Sequence, residues 1–384
     1  MVLISLCYLQ SNYSRQIRLS LLALTALVFI LALSTFLSMP PALFFTLVIL
    51  NGVCQSSAGA YLQSAVVALA SLFGPQAMQP VMSGQAAVGV LVSLIQVLSA
   101  GAGIQATDTA GEAASAAHAA FVFFEVSTMF LLFTIAAHAW LITMPEYKAV
   151  VVPFEANKDV IGVDEEREAL VGEGNDVDRL PHKKGRILGV AKMNIEYNFA
   201  VAYVFIVTLS VFPPITSSIR SVHSPSSSTF AHPLLFTAIH FLIFNVGDLV
   251  GRYLPMVHRV QIWSSRSHVY MALSRTLFIP LFLLCNIQRP SSLTVPVSGG
   301  PVINSDALFF LILLFFGITN GYIGSLVMMA APSREHNPRL KYRPEDVETA
   351  ATIAQFCLVG GLAVGSFMSF GVRGAICACN PFTT

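Results

Sequence analysis

Apolar residues run in long blocks along this chain, and short polar connections separate the blocks. A hydrocarbon layer about 30 Å thick is crossed by roughly 20 helical residues rising 1.5 Å each. Blocks of that kind fall near 17–38, 43–71, 80–101, 118–143, 195–212, 233–254, 269–287, 306–331 and 350–376. The pattern predicts nine membrane-spanning helices. The second and last are long enough to tilt or to project beyond the bilayer. Residues 1–9 are apolar too, but too short to cross, and they lack the basic start and cleavage site of a signal peptide.

Composition supports this reading. Only 11% of the 384 residues are charged and 55% are hydrophobic, against about 25% charged in an average soluble domain. That balance excludes a soluble globular protein and a disordered chain. A net charge of +1 offers no general attraction for nucleic acid. The class is an all-α polytopic membrane protein whose surroundings are a lipid bilayer. Residues 146–192 hold 18 of the 41 charges and read as a hydrophilic loop. The organisation expected is an N-terminal helix bundle over 1–145, a loop over 146–194 and a C-terminal bundle over 195–384. Basic residues near span ends favour the cytosol. Arg15, Arg18, the large loop, Arg252, Arg259, Arg266, Arg275, Arg334, Arg339, Lys341 and Arg343 fall on one side under this topology. The loop and the N-terminus are then cytosolic and the C-terminus is not.

A few polar residues inside apolar blocks carry the remaining information. In 51–64 (NGVCQSSAGAYLQS), Gly59 and Gln63 stand four apart and share a helical face. An amide in hydrocarbon needs a partner, so Gln63 meets another helix, a wet cavity or a ligand. In 83–89 (SGQAAVG), Gly84 and Gly89 suggest close packing, with Gln85 as a second buried amide. The stretch 241–252 (FLIFNVGDLVGR) is the most specific, because Asn245, Asp248 and Arg252 fall within one sector of a helix. Asp248 and Arg252 are one turn apart and can pair. Two roles stay open for them: a structural clasp, or recognition of sugar hydroxyls and a base acceptor. In 317–325 (GITNGYIGS), Asn320 and Tyr322 interrupt an apolar run, a feature that packs helices or lines a substrate path. Glu125 stands alone among apolar neighbours, either protonated or in a cavity. His118, His138 and His240 are read as polar packing or interfacial groups ahead of a proton relay.

Six cysteines include no pair of CxxC spacing with matching histidines, so no zinc site or other metal centre is expected. No Walker A loop, HExxH, GxSxG or kinase signature occurs. Neither an enzyme nor a cofactor is indicated.

At GAYLQS (59–64), MSGQAAVG (82–89), FNVGDLVGR (244–252), TNGYIGS (319–325) and VGGLAVGSF (359–367), the chain resembles the equilibrative nucleoside transporter family. The resemblance covers roughly residues 5–376. It implies a two-bundle fold similar to the major facilitator class, with eleven spans in the full pattern. It also implies a nucleoside substrate, with Gln63, Asp248, Arg252, Asn245 and Phe241 as contacts. Gly59, Gly84 and Gly89 are implied to support packing and transport, and Gln85 and Asn320 are grouped with them. The family's first span and most of its second have no counterpart here, so the resemblance implies either a late-starting sequence or a truncated variant.

The function expected is facilitated movement of nucleosides, or of nucleobases, down their gradient by alternating access. Proton coupling is open, with Asp248 and Glu125 as the groups concerned. The alternative is a truncated, non-transporting relative with an interaction or regulatory role. A monomer is the default state, in the plasma membrane or a vacuolar or lysosomal membrane. Residues 164–171 (DEEREALV) bear a faint likeness to an acidic sorting signal and are read as a solvated charge run.

Overall fold

The computed structural model describes residues 13–37, 39–103, 109–154, 179–224, 229–287 and 302–377. Residues 1–9 and the run 164–171 lie outside them. The main elements are α1 (Tyr13–Ser34), α2 (Pro41–Leu72), α3 (Pro75–Gly103), α4 (Thr109–Leu141), α5 (Arg179–Met193), α6 (Ile195–Val211), α7 (Pro233–Tyr253), α8 (Ser265–Ser274), α9 (Phe278–Leu283), α10 (Asp306–Ala330) and α11 (Val347–Cys377). Helices α2, α3 and α7 begin on proline, whose missing N–H falls where no intrahelical acceptor exists. α10 begins at Ser305, whose side chain accepts from the Leu308 N–H, with Asp306 in the first turn. Gly74, at φ +89°, turns the chain out of α2 in a conformation that side chains with a Cβ disfavour.

Eight helical stretches among the described residues are long and apolar enough to cross a membrane. They match eight of the nine expected spans, and α2 and α11 are the longest bar α4, at 32, 31 and 33 residues. The ninth, 269–287, is not among these eight. It is broken into α8, a 3₁₀ turn at Arg275–Leu277 and α9. Pro280 has no N–H for the Thr276 carbonyl and its ring crowds that carbonyl, which disfavours a continuous α-helix through the turn. Arg275 sits at the break and is 1% exposed. It is therefore not one of the loop charges with which its neighbours Arg259 and Arg266 were grouped. Many large apolar side chains remain exposed, among them Phe45, Leu50, Phe133, Phe367 and Met368, as expected of helices whose outer faces meet lipid instead of water.

The contacts divide the chain into two units. The first holds residues 1–73 and 106–186. There α1 packs on α2 and α4 around Tyr13, Ile17, Leu21, Ala65, Ala68 and Leu69. Two amides bond across that contact: Asn51 Nδ2 donates to the Leu27 carbonyl at 3.0 Å and Gln16 Nε2 to the Tyr61 carbonyl at 3.2 Å. Residues 145–154, assigned by sequence mostly to the hydrophilic loop, are helical, and Tyr147 and Val151 are buried in the same core.

The second unit holds residues 74–105 and 187–384. In it α7 packs on α10 and α3, and α6 on α11, α8 and α10. By its contacts α3 groups with the helices of this second unit. Two glycine pairs set the closest approaches. Gly247 and Gly251 of α7 face Gly317 and Gly321 of α10. A Cβ at Gly247 would lie 2.6 Å from the Leu314 carbonyl oxygen, and one at Gly317 would collide with the Phe244 carbonyl. Gly361 and Gly365 of α11 approach Ala202 and Ile206 of α6 in the same manner. Four-residue glycine spacing on facing helices lets backbones meet where lipid supplies no hydrophobic drive. At one end of this unit the 254–264 and 331–343 connections are stitched together. Trp263 stacks on His336 at 3.7 Å, and Arg339 pairs with Glu196 at 2.7 Å. Burial pushes the His336 imidazole below its usual range, against a smaller opposing pull from Glu335.

Gly317→Ala is expected to lower thermal stability in detergent, because overpacking against a backbone costs about 1–3 kcal/mol. Gly52→Ala, where a new Cβ meets nothing within 4 Å, is expected to leave stability unchanged or raise it by up to about 1 kcal/mol. Fluorescence-detected melting of the two variants checks both; equal melting would refute the close α7–α10 contact.

Candidate functional site

The α7–α10 contact brings the polar residues of the second unit together. Asp248 is 5% exposed and Asn320 is 4% exposed. Arg252 Nε donates to Asp248 Oδ2 at 2.8 Å, and Asn320 Nδ2 donates to Asp248 Oδ1 at 2.7 Å. The i, i+4 spacing seen in sequence thus forms an ion pair, with side-chain exposures of 12% for Arg252 and 7% for Asp248. Arg252 Nη1 donates to the Met82 carbonyl at 2.7 Å and to Gln85 Oε1 at 3.5 Å, both on α3. In return Gln79 Nε2 donates to the Arg252 carbonyl at 3.4 Å. Among the described residues no protein acceptor is assigned to Arg252 Nη2. An ionised carboxylate has about four acceptor positions, and two on Asp248 are occupied.

Asn245 is one turn above. Its Nδ2 donates to Ser93 Oγ on α3 at 2.6 Å and to the Phe241 carbonyl at 2.9 Å. Its Oδ1 lies where a Cβ on Gly89 would be, at 2.6 Å, so Gly89 is the glycine that lets α3 and α7 meet here. Phe241 is part-buried at the edge of an aromatic cluster, 5.1 Å edge-on from Phe212, which stacks on Phe244 at 4.1 Å. His240 is 1% exposed, with Nε2 2.9 Å from Thr216 Oγ1 and Nδ1 2.9 Å from the Thr237 carbonyl. Both nitrogens are satisfied, the arrangement of a packed neutral imidazole.

Asn320 connects further. Its Oδ1 accepts from Thr208 Oγ1 on α6 at 2.7 Å. Thr208 in turn accepts from Arg275 Nη2 at 3.0 Å. Arg275 Nη1 donates to the Phe316 carbonyl at 3.0 Å and to Thr319 Oγ1, and its guanidinium lies 4.4 Å from the Phe316 ring centre. Thr208 and Arg275 were not nominated from sequence. The usable signal was Arg275 itself, a cation inside the apolar block 269–287.

Other expected members stand apart from this cluster. Gln85 is exposed and not a buried amide, and it reaches the cluster only through the long bond its Oε1 accepts from Arg252. A Cβ at Gly84 or Gly59 would meet nothing within 4 Å, so neither marks the close helix contact that its sequence context suggested. Gln63, on α2 of the first unit, is part-exposed with no hydrogen bond assigned among the described residues. Glu125 is part-exposed on α4. His138 lines a cavity of about 230 Å³ with Ser14, Arg15, Arg18 and Ile142. The His118 side chain lies outside the described residues.

A sequence model of the family described as nucleoside transporter matches residues 49–374. Human equilibrative nucleoside transporter 1 is 28% identical over 93% of this chain and 75% of its own length. The rat equilibrative nucleoside transporter 1 is 26% identical over 96% and 78%. Human equilibrative nucleoside transporter 2 is 36% identical over a shorter match, 44% of this chain and 33% of its own. With the family match spanning most of its length and eight helical stretches among the described residues long and apolar enough to cross a membrane, the chain belongs to the equilibrative nucleoside transporter family.

Proposed function

We propose that this protein carries nucleosides down their concentration gradient, exposing one site to the two sides of the membrane in turn, and that Asp248 and Arg252 hold the ribose. The observation that carries the reading is the state of the pair itself. Arg252 Nη2 has no assigned protein acceptor, and Asp248 has used two of its acceptor positions. A ribose diol offers the complement, hydroxyls that donate to a carboxylate and accept from a guanidinium. A ligand lacking the hydroxyls leaves these nearly buried groups unpaired, which is the strongest basis for discrimination in a closed site. Phe241 and Asn245, on the same sector of α7, are proposed to border the site. Gln63 is proposed as a further substrate contact, as the family resemblance implies, and its amide has no hydrogen-bond partner among the described residues.

The basic residues of the loops support a cytosolic placement of the large loop and a non-cytosolic C-terminus. Arg252 and Arg275 leave that argument, because both are held within the helices.

In proteoliposomes, Asp248→Ala and Arg252→Ala are each expected to reduce uptake of labelled adenosine or uridine by at least about tenfold, since removing one partner of a buried pair strands the other charge. Uptake at the wild-type rate in either variant would remove the ribose role. Internal nucleoside is expected to rise to the external concentration and stop. Accumulation above it under an inward proton gradient would show coupling and refute simple downhill flux.

A further inference from the structure

We propose that Arg275, at the break between α8 and α9, is a positioning residue for the substrate site. It acts on Asp248 through Thr208 and Asn320 and touches no substrate itself. The inference rests on the ribose role given to Asp248 above.

The argument is one of hydrogen-bond direction. A guanidinium carries five N–H donors and no acceptor. Arg275 stands at one end of the chain of bonds and Arg252 at the other, so both ends can only donate. The bonds run from Arg275 Nη2 to Thr208 Oγ1 at 3.0 Å, from Thr208 to Asn320 Oδ1 at 2.7 Å, and from Asn320 Nδ2 to Asp248 Oδ1 at 2.7 Å. From the other end Arg252 Nε reaches Asp248 Oδ2 at 2.8 Å. Both runs end on Asp248, the one member that accepts from each side as a carboxylate. An uncharged chain of hydroxyls and amides could run either way. Two donor-only ends fix the direction.

Thr208 is where the control lies. Its hydroxyl has one proton and two acceptors within reach, Asn320 Oδ1 at 2.7 Å and its own helix's Val204 carbonyl at 2.6 Å. The acceptor-only Asp248 carboxylate draws the Asn320 nitrogen, and Thr208 is the donor that faces the Asn320 oxygen from the other side. Arg275 occupies a Thr208 lone pair, and on this proposal it biases the hydroxyl proton toward Asn320 over Val204. Without Arg275 the hydroxyl is free to turn to Val204, the Asn320 oxygen loses its donor, and the amide is held to Asp248 from one side only.

The setting of Arg275 favours a dedicated role. The residue is 1% exposed, so it holds its position at the cost of desolvating a full charge. Its fork is anchored to α10 by the Phe316 carbonyl, Thr319 and the Phe316 ring, and to α6 by Thr208. Its Nε has no hydrogen-bond partner among the described residues. A guanidinium placed only to join helices would not need an acceptor that relays onward to the one buried carboxylate of this contact.

The test is concentration-dependent uridine uptake into proteoliposomes, with inserted protein quantified. The variants are R275Q, T208V, T208S, the double variant T208V/R275Q, and D248N. R275Q and T208V are each expected to raise KM about tenfold, the scale of one hydrogen bond to a charged group, with a smaller change in maximal rate per inserted molecule. T208S keeps the hydroxyl and is expected to keep the wild-type KM. The double variant is expected to be no worse than R275Q, because the two act in series. If D248N raises KM while R275Q and T208V do not, Arg275 only joins helices and the inference is overturned. If R275Q fails to insert, T208V, nearly equal in shape to the native residue, decides. If D248N itself leaves KM unchanged, it is the ribose reading that has failed.

Discussion

A carboxylate held between two guanidiniums, inside helices that face lipid, is the constraint on which the rest of this structure depends. Alone at that depth Asp248 would cost several kcal/mol to keep ionised. So would either arginine. Together they offset much of that cost, yet the cluster still carries one cation more than anions. The excess is spread over neutral dipoles and a ring: the Phe316 and Met82 carbonyls, Thr208, Thr319 and the face of Phe316. A replacement by well-packed apolar residues of the same volume would often be as stable. Stability alone therefore accounts poorly for these charges, whereas under the proposed function a substrate's hydroxyls would need them.

The cluster exists only because backbones come close. Gly247 and Gly251 on one helix and Gly317 and Gly321 on the other bring α7 and α10 together. That approach sets Asn320 within 2.7 Å of Asp248. Gly89 does the same for α3, letting Asn245 reach Ser93 and Arg252 reach Met82. Packing and polar chemistry are not separate features here. A methyl group on the α10 seam would move the donor as well as strain the contact.

Eight spans were legible in the sequence because a run of some 20 apolar residues has few other uses. The sector of α7 bearing Asn245, Asp248 and Arg252 was legible because helical spacing fixes which side chains share a face. What hydropathy does not encode is the direction a face points or which helix it meets. Gln85 and Gly84 look like buried packing positions in a small-residue run, but they sit on the open side of α3. Gly59 likewise has no close neighbour for a Cβ. Arg275 was read with the loop charges near it, though the apolar block around it was itself read as a span. The two readings conflicted, and the conflict was the signal. A cation inside hydrocarbon must have a partner, and its partners, Thr208 and Thr319, come from helices more than 40 residues away in sequence.

The most direct measurement is an experimental structure of the protein in lipid nanodiscs with uridine bound. The account predicts the ribose hydroxyls within hydrogen-bond distance of an Asp248 carboxylate oxygen and of Arg252 Nη2, with the Asn320–Asp248 bond intact. Uridine bound elsewhere, with Asp248 and Arg252 closed on each other and touching no substrate atom, would contradict it.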